Sequence, residues 1–375
     1  MGRDYHFKAT GTDLLSKTID FLRFPLIVGV VFVHTDFSNI VMAGVKQFSF
    51  VDLPFFARVF FMFFKVIFGV RVPLFFFIAV FLFFYRTEGF SLKIYCKKLK
   101  NRVHSLLIPY IFWNLAVLFF LFLAQTFLSG SLVSGENKLM INYSLSDWLW
   151  SFWDTSQINH HAEKSLPVNS PFWFIRDLIV VVLLSPLVYF LIKKIGIMAV
   201  VLLGLLWCYS PYFYFPGMST VSFFFFAAGA YFSVYKMDFV VLMRRLLPCA
   251  VGFFALLIAA EFYFLGKSWW NYLYCANVIV GLVLVVAITA HFIQKGSWRP
   301  NSFLAKGSFF IFAYHRLPLV FVIKFLFNLI HPQSEVALIC LYFACPTIVI
   351  VLGLLGYRLL KNMFPRFTAV ICGGR

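Results

Sequence analysis

The sequence predicts an all-α fold: a polytopic integral membrane protein of about ten transmembrane helices, with both termini cytoplasmic. Composition is the first reason. Of 375 residues, 62% are hydrophobic and 12% charged, with a mean hydropathy of +0.90. A soluble chain carries about 25% charged residues. The second reason is a series of apolar stretches long enough to cross a bilayer. The third is charge placement. Lys and Arg number 32 against 14 Asp and Glu, and the excess gathers in alternate loops. That positive-inside pattern accounts for the basic balance without a nucleic-acid partner.

The first span, about 18–41, organises the rest. Phe24 to Val33 holds ten residues without a charge, with Asp20 and Arg23 before it and His34 after it. Ionisable groups at membrane depth are costly unless they face the protein interior or a wet cavity. Arg23 and His34 are eleven residues apart. At about 100° per residue that is about 1,100°, about 20° beyond three turns, so they share a helix face about 16 Å apart. Asp20 lies on nearly the same stripe. Geometry alone leaves two readings open: a functional pair, or a boundary anchor (Arg23) with an interhelical hydrogen bonder (His34).

An overlong apolar segment, 55–85, carries Arg58, Lys65 and Arg71 in its first half. It reads as an interfacial or tilted part, 55–70, followed by a deep part, 71–85. Arg86-Thr87-Glu88 and a basic linker with Lys93, Lys97, Lys98, Lys100 and Arg102 lead to a third span at about 106–128. A polar loop at about 129–170 follows, with His160-His161 as a surface pair. Further spans cover about 172–192, 197–214, 219–235, 248–265, 270–293, 308–330 and 336–359. No internal repeat or low-complexity tail interrupts the chain, and 1–375 reads as one domain.

Loop charges orient these spans. With the amino terminus inside, the inner segments carry Arg3, Lys8, Lys17, the 86–102 cluster, Lys193, Lys194, Lys236, Arg244 and Arg245. Lys295, Arg299, Lys306, Arg358, Lys361, Arg366 and Arg375 complete that side. The outer loops hold Lys46, Lys138, Lys164 and Lys267. The 129–170 loop is therefore expected outside, with His34 in the outer half of its helix. The start MGRDYHFKATGTD lacks a cleavable signal pattern, and His6 stands where a myristoylation start has Ser or Thr. The seven cysteines are scattered without a CxxC, so neither a disulfide framework nor a metal site is expected. No nucleotide-binding glycine fingerprint and no HExxH occurs. Glu261 and His291, in apolar stretches, read as structural.

Five landmarks in order resemble the membrane acyltransferase type 3 family. Asp20-Phe-Leu-Arg23 with His34 resembles its arginine-X10-histidine signature. Val72 to Val80, VPLFFFIAV, resembles its second-helix VPLFFFISG. Lys100-Asn-Arg102 with Leu107-Ile-Pro109-Tyr110 resembles its KxR…LxPY entry to helix three. Pro171 to Leu178, PFWFIRDL, resembles PxWFLxxL, and Ser308 to His315, SFFIFAYH, resembles SxxIYxxH. The ending AVICGGR is similar to that of a bacterial subgroup. One departure is Ala79-Val80 where the family has Ser-Gly, which loses the close helix approach of a small pair.

The resemblance implies transfer of an acyl group, most often acetyl, from acetyl-CoA to a sugar hydroxyl of a cell-envelope or exported glycan. It places the protein in the bacterial cytoplasmic (inner) membrane. Acetyl-CoA is then a co-substrate, with no tightly bound cofactor. Acyl transfer needs a base, and histidine is the side chain best matched near neutral pH; His34 is the expected base and His315 a second candidate. Arg23 is expected to grip the donor's phosphate or pantetheine end, or to pair with Asp20. A cation should stabilise charge on the thioester carbonyl, with Arg176 or Arg316 as candidates. Lys97, Lys98, Lys100 and Arg102 suit the donor's phosphates, though positive-inside topology and anionic lipid explain them equally. Lys98 and Arg102, four apart, share a face if the linker is helical. Trp173 and Phe174 suit a sugar ring at the outer mouth, or belong to the interfacial aromatic belt. The competing function is a transporter of an acylated glycan, for which the expected inverted symmetry is not found.

Overall fold

The computed structural model describes residues 9–374 apart from 38–40, 43–44, 47–48, 50–51, 88, 128–136, 159–164 and 211–213. His160-His161, Lys164, Arg375 and the first eight residues lie outside the described residues, as do the side chains of Lys46 and Lys65. In chain order the helices are α1 (Ala9–Val33), α2 (Pro54–Phe61), α3 (Arg71–Phe84), α4 (Leu92–Arg102), α5 (Ile108–Phe127) and α6 (Leu145–Trp150). There follow α7 (Trp173–Leu183), α8 (Ser185–Ile195), α9 (Ile197–Tyr209), α10 (Thr220–Val234), α11 (Phe239–Arg245) and α12 (Leu247–Tyr263). The last are α13 (Trp270–Gln294), α14 (Ser302–Tyr314), α15 (Arg316–Ile330), α16 (Glu335–Met363) and α17 (Pro365–Ile371). Strand among the described residues is limited to two antiparallel ladders, Val41–Met42 with Val45–Lys46 and Tyr214–Phe215 with Met218–Ser219.

The helical class agrees with the sequence; the span count is coarser. Among the described residues three helices are long and apolar enough to cross a membrane, Leu92–Phe127, Trp270–Gln294 and Glu335–Met363, and up to six spans result if each bent pair counts as one. Stretches read as straight are broken. Helices α7 and α8 meet at 62°, α10 and α11 at 104°, α14 and α15 at 71°. Pro186 and Pro318 explain two of these bends: proline lacks an N–H, and its ring collides with the carbonyl four residues earlier, so it fits only in a helix's first turn. Helix α1 misses the count because Lys17, Asp20 and Arg23 crowd its apolar half.

The overlong second segment divides as its charges suggest. Helix α2 runs into a π-helical turn, Met62–Ile67, and α3 starts afresh at Arg71. The basic linker is helical: Ser91 caps α4 by accepting the Ile94 N–H, and α4 continues through a π-helical turn, Val103–Leu107, into α5. Helix α1 lies at the centre, packed by α3, α13, α14 and α16. Outward faces are apolar, with Phe127 80% and Leu256 68% exposed, a surface suited to lipid rather than water. Helix α10 approaches α3 closely at Gly229, where a Cβ would overlap the Phe77 carbonyl. Close approach by α3 therefore survives without a Ser-Gly pair at 79–80, two residues along.

Candidate active site at the bend of helix fourteen

The bend after Tyr314 makes the site. Pro318 forces α15 to leave its predecessor at 71°, which strips carbonyls at the end of α14 of their helical partners. His315 fills the gap with its own ring. Its Nδ1 lies 2.8 Å from the Phe312 carbonyl and 3.2 Å from that of Ile311. Carbonyls only accept, so Nδ1 carries the proton and Nε2 keeps a lone pair. His315 is 0% exposed, and its Nε2 has no hydrogen-bond partner among the described residues. The Ala313 carbonyl is taken by Asn169 Nδ2 at 2.9 Å, and the Asn169 N–H donates to Asn114 Oδ1 at 3.1 Å. The loop before α7 is thereby tied to the bend.

His34 completes a pair. It stands just past the last residue of α1, its N–H still reaching the Val31 carbonyl at 3.1 Å. The rings of His34 and His315 are 5.3 Å apart between centroids, inclined at 42°. Arg71 and Arg316 are the cationic neighbours of His34. Asp36 faces Arg316, whereas Arg71 has Tyr274 and Tyr342 beside it and donates to the Phe68 carbonyl. The Tyr342 hydroxyl is buried without a hydrogen-bond partner among the described residues.

A second compartment opens toward the other end of α1. A cavity of about 250 Å³ is lined by Arg23, Arg102, Ser105, Ala79, Phe174 and Phe312, among others. Arg23 also pairs with Asp20 at 3.2 Å. Phe312, whose carbonyl holds His315, is thus a wall of the cavity as well. Ala79, the departure from the family pattern, faces this space, while Val80 is fully buried.

The other anticipated residues separate. Lys98 and Arg102 do share a face, both over the Phe83 ring at 5.1 and 5.5 Å, with Lys98 donating to the Phe83 carbonyl. Arg102 lines the cavity, and Lys97 and Lys100 are exposed. Arg176 is placed away from the histidines. Its guanidinium donates to Asp177 at 3.2 Å, to the Trp153 carbonyl at 2.5 Å and to the Ser165 carbonyl at 3.3 Å, clamping the polar loop onto α7. Phe174 is buried, edge-on to Phe76 at 4.6 Å, and meets open space through the cavity. Trp173 is half-buried over Phe76.

The profile of an acyltransferase domain matches residues 16–355. The chain belongs to the acyltransferase type 3 family. It is 28% identical over 376 residues to the succinoglycan biosynthesis protein ExoH of Rhizobium meliloti (strain 1021), covering 96% of this chain and 93% of that protein. No solved structure matches the chain.

As a member of this family, the protein is a membrane O-acyltransferase, and the sequence reading of its chemistry left out two groups. Arg71 was legible: an ionisable side chain within an apolar stretch is itself a functional signal, yet it read only as a break in an overlong span. Asp36 carried no signal beyond its nearness to His34 in the chain. Only packing sets it against Arg316.

Proposed function

We propose that the protein transfers an acetyl group from acetyl-CoA to a sugar hydroxyl of a cell-envelope or exported glycan. The carrying observation is the His34–His315 pair at 5.3 Å, whose His34 stands just past the end of the helix that bears the cavity-lining Arg23. The name of the relative ExoH, a succinoglycan biosynthesis protein, favours a polysaccharide acceptor. The chain acts as one domain in the bacterial inner membrane, with ten membrane-crossing segments and both termini inside. Bent pairs and short apolar helices supply the segments beyond the three long helices.

The donor enters from the basic helix α4. Lys97, Lys98 and Lys100 meet its phosphates first; Arg102 and Arg23 hold the inner end of its arm in the cavity. That arm carries the thioester past Phe312 toward the histidines. His315, with its proton fixed on Nδ1, offers Nε2 to His34 and so orients the His34 ring. His34 takes the proton of the acceptor hydroxyl as its oxygen attacks the thioester carbonyl. Negative charge on that carbonyl oxygen is met by Arg71 and Arg316. Collapse of the adduct expels the CoA thiolate, which receives the proton from His34. Trp173 supports the sugar ring.

Proteoliposomes containing the purified protein test the reading. Radiolabelled acetyl-CoA and an oligosaccharide of the host's own surface glycan should give an O-acetylated product released by mild base. Loss of label to water alone, or no transfer with any envelope glycan, would sink it.

A further inference from the structure

A second cavity, of about 370 Å³, lies apart from the histidines, where the ends of α3, α8 and α10 meet; Phe84, Thr87, Tyr189, Lys193 and Lys236 are among its lining. We infer that it is a binding site for a phosphate ester, held by Lys193 and Lys236 with the hydroxyls of Thr87 and Tyr189.

The backbone gives the first reason. Helix α10 ends in a Schellman turn: the Lys236 N–H reaches the Ser233 carbonyl at 3.1 Å and the Met237 N–H reaches that of Phe232 at 2.8 Å. The residue between is normally glycine, because it must be left-handed. Here it is Lys236, at φ 54°. A residue that strains its own backbone is kept for its side chain. The second reason is that Lys193 and Tyr189 are held in place. The Lys193 ammonium sits 5.8 Å over the Tyr235 ring, whose hydroxyl is fastened to the Ile192 carbonyl at 3.3 Å. The Tyr189 ring stacks on Phe84 and packs at 4.9 Å against Phe90.

Neither lysine has an acidic partner among the described residues. Asp238, the nearby acid, is buried and caps α11 by accepting the Val240 and Val241 N–H groups. Two cations and two hydroxyls around one space match the several acceptor oxygens of a phosphate better than a single carboxylate. The phosphate has two sources. Beside Tyr189, the exposed Leu187 and Phe190 offer an apolar track for the chains of an anionic phospholipid. A soluble nucleotide phosphate would enter beside α4.

Melting of the purified full-length protein in detergent, with phosphatidylglycerol, phosphatidylcholine or 3′-phosphoadenosine 5′-phosphate added, tests the site. We expect phosphatidylglycerol, and not phosphatidylcholine, to raise Tm. Lys193→Gln and Lys236→Gly should each lose at least half of that rise, and the double variant all of it. Lys236→Gly is the informative change: glycine relieves the left-handed strain, so without ligand this variant should melt no lower than wild type. Lys194→Gln, a neighbour over the Phe190 ring outside the cavity, should keep the rise. A lysine-dependent rise with the nucleotide alone upholds the site and names the soluble source. A double variant that keeps the full rise with either ligand overturns the proposal and returns both lysines to the role of helix-end and interfacial charges.

Discussion

The two ends of α1 carry opposite kinds of polar chemistry. Toward the cavity, Arg23 and Asp20 are 3.2 Å apart with side chains 33% and 43% exposed. An ion pair so open contributes at most about 1 kcal/mol, so Asp20 holds Arg23 only weakly. At the other end, His315 is 0% exposed and its ring is fixed by two carbonyls. Binding groups gain from remaining adjustable, whereas a residue that orients a base gains from a fixed tautomer in a dry setting. One helix thus runs from an open ion pair at Arg23 to His34 beside a fixed, buried histidine, about three turns away.

The strongest way to break this contrast is at His34. His34→Gln should lower transfer by roughly 10² to 10⁴, the span for losing positioned acid–base help, with acetyl-CoA binding near normal in equilibrium dialysis. A variant retaining more than about a tenth of the rate, far above that span, would move the base to His315. Arg71→Gln comes next. Loss of a preorganised donor to a developing oxyanion costs about 10² to 10³ in kcat, and Arg71→Lys should recover part of it. A change in KM alone would assign Arg71 to the binding end.

Changes at the basic helix should be milder and of the other kind. Lys98→Gln with Arg102→Gln should raise KM for acetyl-CoA roughly tenfold, as for one charge-assisted hydrogen bond, while kcat changes little. Equal loss in both would mean that the start of α5 had shifted.

The smallest effect concerns the polar loop at about 129–170. Asp147 accepts from Lys138 Nζ at 2.7 Å and from the Ser144 N–H at 2.7 Å in the capping box of α6. First Lys138 and then Ser144 hold its carboxyl down at about 2. A depressed carboxylate supports the folded loop above its ordinary value of about 3.9 and loses that support as pH falls through about 2. Fluorescence of the neighbouring Trp148 and Trp150 should therefore shift at that low midpoint, and Asp147→Asn should abolish the step.

Much of this was legible because a membrane imposes simple rules. Apolar length gave helices, and the charges at Arg58, Lys65 and Arg71 marked where the second segment divides, as it does after Ile67. The four-residue spacing of Lys98 and Arg102 gave their shared face, since period alone fixes that in a helix. The bends were less legible. Pro186 and Pro318 were visible, but hydropathy sums over a break without noticing it.

By itself the sequence determined the helical membrane class, the family and the stripe that joins Arg23 to His34, because each depends on composition or on spacing within one element. Tertiary structure alone decided that His315 faces His34 across 5.3 Å, that Arg71 and Arg316 gather there, and that Arg176 is spent on the polar loop. Those relations join residues far apart in the chain. They depend on where Pro318 turns α15 and how closely Gly229 lets α10 approach α3, which are matters of packing that no local period encodes.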